Sequence, residues 1–255
     1  MINKKLVEKN FSSASQQYSQ SATVQEFASL DLLEKLTKYK ILQNNQLALD
    51  LGCGPNGHLQ YSYQDTSGKV INFDISNQML SLVKKNYEKG IFVQGDMDWL
   101  PFKSCVFDLI FSSFAIQWSQ NIELLFTELA KLTKRNGLLA LAIPNDFSLG
   151  NLKLVSRKTG CNFIFKEMPN HDNMLKLIKN LGAKVLEIGK YSFYEKFDNP
   201  LQAIRNIKKI GANYNNSTKN FISKKSLLSL LSYDKIVSDY FENDWNISYF
   251  IVKIN

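Results

Sequence analysis

A glycine-rich turn comes directly after an apolar run at Leu49-Asp50-Leu51-Gly52-Cys53-Gly54-Pro55-Asn56-Gly57, and it restricts this chain more than any other segment. Gly52, Gly54 and Gly57 have the G-x-G-x-x-G spacing of a nucleotide-binding loop. Glycines there allow a tight turn from strand into helix and let a ligand approach the backbone closely. The spacing alone also suits dinucleotide enzymes. Asp50 separates the two readings. A carboxylate at the end of that strand would repel a pyrophosphate, and it suits a ligand that carries an ammonium group. The loop therefore points to S-adenosylmethionine (SAM) rather than to NAD.

The segments around the loop alternate in type. Residues 24–39 place Val24, Phe27, Leu30, Leu33 and Leu36 at helical spacing. Strands are expected over 46–51, 69–73, 91–94, 106–112 and 138–143, the last stopped by Pro144. Helices are expected over 76–87, with Ser76 as N-cap, and over 122–132, with a turn at Asn136-Gly137. This alternation predicts a parallel, doubly wound sheet, whose ligands bind beyond the carboxyl ends of the strands. Asp50, Asp74, Asp96 and Ser112 all fall at those ends.

After Pro144 the rhythm changes. A helix over 172–181 ends at Gly182, a long strand follows over 184–197, helices over 200–211 and 224–231, and a last strand over 247–254. The expected fold is α/β and Rossmann-like: a seven-stranded, mostly parallel sheet with an antiparallel final pair and a helical lid inserted in the C-terminal part. One domain spanning 1–255 is expected, with a helical cover over 1–40 and a SAM-binding core over 45–145. The substrate lid would take 146–183 and 197–245.

Composition narrows the class. At 255 residues, 44% hydrophobic and 21% charged, the chain is ordinary globular protein, long enough for one large α/β unit with an insertion. No apolar run reaches spanning length, and residues 1–5 lack the apolar core of a signal peptide, so a soluble protein of the cytoplasm is expected. Cys53, Cys105 and Cys161 are scattered and odd in number, which fits reduced thiols; with only His58 and His171, no metal site is expected. The net charge of +8 is unevenly placed: residues 1–150 hold 14 basic and 14 acidic side chains, and residues 151–255 hold 17 and 9. That excess fits either a lysine-rich solvated face or the docking of an acidic macromolecule.

Asp74 stands 17 positions beyond Gly57, close to where an acid binds ribose hydroxyls in a βαβ unit. A carboxylate can accept both hydrogen bonds of a cis-diol. The alternative is an acid favoured by a helix N-terminus, and the glycine loop beside it favours ribose. In Gly95-Asp96-Met97-Asp98-Trp99-Leu100-Pro101-Phe102, Asp96 can accept from an adenine amine while Met97 packs on the ring; an ordinary turn with apolar anchors is the other reading. Ser112-Ser113-Phe114-Ala115-Ile116-Gln117-Trp118 can wall the methionine part and set an aromatic face near a sulfonium, or Phe114 and Trp118 can be plain core. His58 reads as a polar loop residue, having no partner for a catalytic triad.

Taken together, these residues resemble the class I SAM-dependent methyltransferases. Asp50–Gly57, Asp74-Ile75-Ser76-Asn77-Gln78-Met79-Leu80, Gly95–Phe102, Phe107-Asp108-Leu109 and Asn136-Gly137 run in that family's order and spacing over roughly the first 145 residues. A narrower resemblance, to the malonyl-acyl-carrier-protein O-methyltransferases of biotin synthesis, spans nearly the whole chain. It rests on Phe11-Ser12-Ser13-Ala14-Ser15-Gln16-Gln17-Tyr18 with Val24-Gln25, on Ser113-Phe114-Ala115-Ile116-Gln117-Trp118, and on Ala203-Ile204-Arg205-Asn206-Ile207-Lys208-Lys209-Ile210-Gly211-Ala212-Asn213. Two positions depart from it: Lys166 stands where the family often has arginine, and Asn56 where a small residue is frequent.

The resemblance implies methylation of the free carboxyl of a malonyl thioester on acyl carrier protein, giving a methyl ester that fatty-acid enzymes extend toward a pimeloyl unit. It implies SAM as co-substrate, held by Tyr18, Asp50, Gly52, Gly54, Asp74, Met79, Asp96, Met97 and Ser112. Substrate contacts would come from Arg205, Lys166, Gln117 and Trp118, with Arg205 the first candidate for the carboxylate and Lys166 the second. A malonyl carboxylate is already ionised at neutral pH, so no catalytic base is required. The basic C-terminal part fits an acidic carrier protein. Other readings stay open: methylation of a small molecule such as a quinone precursor, RNA methylation, or a SAM-binding scaffold without turnover. The lysines are not interleaved with a stacking platform, which disfavours nucleic acid. Oligomeric state is not legible.

Overall fold

The computed structural model describes residues 2–39, 45–161, 165–212, 228 and 239–255. Two helices come first, α1 (Lys4–Ser21) and α2 (Thr23–Thr37). They are followed by β1 (Leu47–Leu51), α3 (His58–Ser62), β2 (Lys69–Asp74), α4 (Asn77–Asn86), β3 (Ile91–Gln94) and β4 (Phe107–Ser113). A 3-10 turn at Ile116–Trp118 leads to α5 (Ile122–Leu132) and β5 (Thr133–Pro144). Then come α6 (Gly150–Thr159), α7 (His171–Asn180), β6 (Lys184–Phe197), α8 (Pro200–Lys209) and β7 (Phe241–Lys253). The expected helix over 224–231 lies, but for Leu228, outside the described residues.

The strands form one sheet in the order β3-β2-β1-β4-β5-β7-β6. β3 to β5 are mutually parallel, and β7 runs antiparallel to both β5 and β6. The expected mostly parallel sheet closed by an antiparallel pair is therefore observed. The chain runs outward from β1 through β2 to β3, then returns to place β4 on the other side of β1. That reversal opens a crevice above β1 and β4, where such sheets bind ligands.

Alternation along the strands explains the two-sided core. Ala48, Leu109, Phe111, Leu138, Ala140 and Ala142 pack on one face with residues of α2, α3, α6 and α8. Leu49, Leu51, Ile110, Leu139, Leu141 and Ile143 pack on the other with α5 and α7. Successive side chains of a strand point to opposite faces, so strands covered on both sides read as continuous apolar runs.

The clearest departures from the expected pattern are in β5, α6 and β7. β5 begins at Thr133, before the expected turn, because Phe107 pairs with Thr133 and Leu109 with Leu138. The Asn136-Gly137 turn is thus looped out within the strand, with Asn136 at φ 67°. α6 was not expected, having few apolar residues; Asp244, distant in sequence, accepts from the backbone N–H groups of Gly150 (3.0 Å) and Asn151 (2.8 Å) and so caps it. β7 starts at Phe241 rather than 247, since Phe241 to Asn246 complete the ladder with β6.

Candidate active site

The glycine loop takes its shape from backbone geometry. Gly52, at φ +74°, lies so close to the 3-10 turn that a Cβ there would sit 2.3 Å from Ala115 Cβ. Its N–H and that of Cys53 donate to the carbonyl of Phe73, at 2.8 and 3.1 Å. The Gly54 N–H donates to Asp74 Oδ2 at 3.0 Å, and the Ser76 N–H to Asp74 Oδ1 at 2.8 Å. Ser76 then caps α4, its hydroxyl accepting from the Met79 N–H at 3.3 Å, as the sequence predicts. β1 and β2 are thereby joined at their carboxyl ends around one carboxylate.

Two adjoining cavities open over these ends. The larger, about 600 Å³, is lined by Asp74, Asp96, Met79 and Met97, by the aromatic rings of Phe11, Phe114 and Trp118, and by Lys4. The smaller, about 420 Å³, is lined by Asp50, Gln25, Glu26, Asn56, His58 and Ser113, among others. Tyr18, Gly52, Gly54 and Ser113 border both.

Asp50 and Asp74 lie at the base. Burial, and then the charge of Asp74, push the Asp50 carboxyl up to about 8. Burial raises Asp74 to about 6, against its backbone hydrogen bonds to Ser76, Gly54 and Ile75, which favour the anion. The Tyr18 phenol is also pushed up, by burial and then by Asp74. Burial lowers His58, with Glu26 opposing. Buried Asp50, with Glu26 and with no lysine or arginine among the residues lining the smaller cavity, favours a cation there.

α1 lies over the larger cavity. Lys4 Nζ is 2.7 Å from Asp96 Oδ1 and 2.6 Å from Asp98 Oδ2. Ser12 and Ser76 hydroxyls meet at 2.9 Å, and the Ser19 hydroxyl donates to Asn56 Oδ1 at 2.6 Å. Burial opposes ionisation of Asp98, but Lys4 and Ser119 hold its carboxyl below the ordinary value. Phe11 meets Trp118 edge to face at 5.5 Å between centroids.

Of the residues singled out from the sequence, Tyr18, Asp50, Gly52, Gly54, Asp74, Met79, Asp96, Met97 and Trp118 line one or both cavities. Ser112 does not: its hydroxyl donates to the Leu51 carbonyl at 2.8 Å, and it is Ser113 that borders the space. Gln117 lines neither cavity. Its side-chain amide donates to the Phe114 carbonyl at 2.7 Å, closing the turn in which Phe114 adopts φ 53°. Lys166 is half-buried, with Nζ 5.8 Å from the centroid of Trp118. Burial, then the charge of Lys4, lowers its pKa, with Glu167 opposing. Arg205 is exposed on α8 and borders neither cavity.

Lys4 was not singled out, and Gln25 and Ser113 stand in the motifs above without an individual role. A cation that pairs with acids more than ninety residues away leaves no local signal. The apolar rings, the buried acids and the crevice above β1 and β4 fit a ligand with the chemistry of SAM. Among the described residues, no helix is long and apolar enough to cross a membrane.

Residues 49–141 match the family model described as a methyltransferase domain. The chain is 28% identical over 233 residues to the malonyl-[acyl-carrier protein] O-methyltransferase of Erwinia pyrifoliae, covering 90% of this chain and 85% of that one. A methyltransferase structure from Bacillus halodurans C-125 has the same fold, with TM-score 0.63 at 17% identity over 87% of this chain and 97% of that one. So does an N-methyltransferase from Haemonchus contortus in complex with phosphomonomethylethanolamine and S-adenosylhomocysteine, with TM-score 0.51 at 19% identity over 87% of this chain and 52% of that one. Residues 49–141 are thus a methyltransferase domain within the class I fold, in a chain similar in sequence to malonyl-acyl-carrier-protein O-methyltransferases.

Proposed function

We propose that this methyltransferase esterifies the free carboxylate of a malonyl thioester carried on acyl carrier protein, in the cytoplasm, to supply the methyl ester from which a pimeloyl unit for biotin is built. The similarity to enzymes so named, extending over 90% of the chain, carries the reading. SAM supplies an electrophilic methyl on a sulfonium. One carboxylate oxygen attacks that carbon in line; the new C–O bond forms as the C–S bond breaks, and its electron pair stays on sulfur. The nucleophile is an anion before it enters, so the step calls for alignment and exclusion of water rather than for a base.

Residues 1–40 act as the cover and 45–145 as the SAM core; of the segments 146–183 and 197–245 expected as substrate lid, 162–164, 213–227 and 229–238 lie outside the described residues, and 241–245 belong to β7. Asp74 takes the ribose, Asp96 with Met97 the adenine, and Tyr18 closes the cavity over the donor. Lys166 holds the carboxylate. It is a half-buried cation beside Trp118, and among the described residues no carboxylate lies within ion-pair distance of it. Desolvation strengthens its pull on an anion. Arg205 lies on the outer side of α8, so its part is in the approach of the acidic carrier rather than in contact with the reacting group. Incubation with SAM and malonyl-acyl carrier protein should convert the carrier to a species heavier by one methylene. Methylation of RNA or of a quinone precursor, with no methylation of the carrier, would replace this reading.

A further inference from the structure

Glu195 is a buried acid that lines neither cavity. It lies near the end of β6, just before α8 begins at Pro200. Asn243 stands opposite it on β7, and Trp245 is the next side chain on the same face of the sheet. Trp245 Nε1 donates to Glu195 Oε2 at 2.7 Å, and Asn243 Nδ2 reaches the same oxygen at 3.4 Å. Among the described residues, no lysine or arginine lies within ion-pair distance of Glu195. A buried carboxylate without a counter-ion costs more than an amide or an apolar side chain would there. What it supplies in return is a directed, charge-assisted hydrogen bond, and the indole N–H is its close partner.

The indole leads to the cavity. The Trp245 ring meets that of Phe114 with centroids 5.7 Å apart and planes at 64°. Phe114 lines the larger cavity from a left-handed backbone at φ 53°, a conformation that a bulky residue keeps only where its surroundings fix it. The same turn presents Ala115 to Gly52 of the glycine loop and Trp118 to Lys166. The donor loop and the cation proposed for the acceptor thus share one turn, and the first ring of that turn rests on Trp245.

We propose that Glu195 is a positioning residue of the methyl-transfer site: its carboxylate fixes the Trp245 indole, and the indole fixes the Phe114 ring in the cavity wall. Neither Glu195 nor Trp245 lines a cavity, so both act through Phe114. In-line transfer needs the methyl carbon and the attacking atom aligned, and a loosened turn between their two binding sites loses alignment before it loses affinity. The inference rests on methyl transfer at this cavity; the hold on Phe114 does not depend on which acceptor is used.

Fluorine NMR of the full chain carrying 4-fluorophenylalanine at position 114 reads that hold directly, with no acceptor present. The resonance should shift and broaden in Glu195→Leu and return in Glu195→Gln, whose amide oxygen still accepts from the indole. On the malonyl carrier, Glu195→Leu should lower kcat about 10-fold while KM and the dissociation constant of S-adenosylhomocysteine each move less than about 2-fold. Glu195→Gln should keep most of kcat. Adding Glu195→Leu to Trp245→Phe, which has already lost the N–H, should cost nothing further. A resonance unmoved in Glu195→Leu, or not restored in Glu195→Gln, overturns the inference. So does a native kcat in Glu195→Leu, a loss that lies wholly in KM, or losses that add across the double variant. A malonyl carrier left unmethylated by the native enzyme would overturn the proposed acceptor instead, and the resonance would then decide this inference alone.

Discussion

Lys4 Nζ lies 2.7 Å from Asp96 Oδ1, fastening the first helix to the loop after β3 across 92 residues of sequence. The same ammonium reaches Asp98 Oδ2 at 2.6 Å, and the side chains of all three residues are mostly shielded from water. α1 is thereby tied over a cavity whose other walls belong to the sheet. A methyl donor bound beneath it would leave only when that helix yields.

Lys4→Met removes the tie and leaves Asp96 and Asp98 without their cation. The two ion pairs together contribute on the order of 1 kcal/mol, being partly shielded rather than fully buried. S-adenosylhomocysteine should dissociate several-fold faster from the variant in stopped-flow fluorescence, with its association rate little changed. An unaltered dissociation rate would mean that α1 does not retain the ligand.

Asp50 and Asp74 should make the affinity for SAM depend on pH. Both carboxyls are raised above the value of an unfolded chain, to about 8 and about 6. The folded protein then holds more protons than the unfolded chain between about 4 and 8, so its stability falls as pH rises through that window. An ammonium beside Asp50 favours the carboxylate, so binding at neutral pH releases a proton. Tyr18 and Cys53, the neighbouring acids that burial also raises, remain protonated there. His58, lowered by burial, is neutral above its own transition and adds no charge at pH 7. SAM should bind more tightly as pH rises from 6 to 8 and level off above that, and calorimetry in buffers of different ionisation enthalpy should register the released proton. Asp50→Asn should flatten the upper part of the profile.

Gly52 tolerates no side chain. A Cβ there would meet Ala115 Cβ at 2.3 Å, in a backbone conformation at φ +74° that costs other residues about 1–2 kcal/mol. Overpacking adds about as much again. Gly52→Ala should lose about 2–4 kcal/mol in urea denaturation and lose measurable binding of SAM. Adding Ala115→Gly removes the clash and not the backbone strain, so the double variant should recover part of the stability. Full recovery would mean that sterics alone fix this glycine.

On the proposed reaction, Lys166 and Arg205 would divide the recognition of the substrate between them. Lys166→Met should leave the affinity for S-adenosylhomocysteine unchanged and lower kcat/KM on the malonyl carrier about 10- to 100-fold, as expected for loss of a charge-assisted hydrogen bond. Arg205→Ala should lower it less, and its effect should fade at high salt, where long-range steering is screened. A larger, salt-independent loss in Arg205→Ala would place that guanidinium on the substrate carboxylate instead.

The parallel half of the fold is legible in the sequence because its strands are buried on both faces and end in glycines, acids and caps. Asp50, Asp74 and Asp96 could be placed at the cavity from chain order alone. α1 was harder: Lys4–Ser21 is mostly Lys, Ser, Gln and Asn, and its inward residues Val7, Phe11, Ala14 and Tyr18 form a narrow stripe. α6 depends on Asp244 for its cap, which is a tertiary contact. The shift from Ser112 to Ser113 follows from strand alternation: one faces the Leu51 carbonyl, and the next faces the cavity. Gln117 falls at a position that reads as substrate contact, yet its amide is used to hold the Phe114 turn.

The measurement that bears most directly on the proposed reaction is mass spectrometry of malonyl-acyl carrier protein after incubation with this enzyme and SAM. The account predicts a carrier heavier by one methylene, formed with an equal amount of S-adenosylhomocysteine, and no gain on acetyl-acyl carrier protein, which has no free carboxylate. An unmodified malonyl carrier, under conditions where calorimetry shows SAM bound, would contradict it.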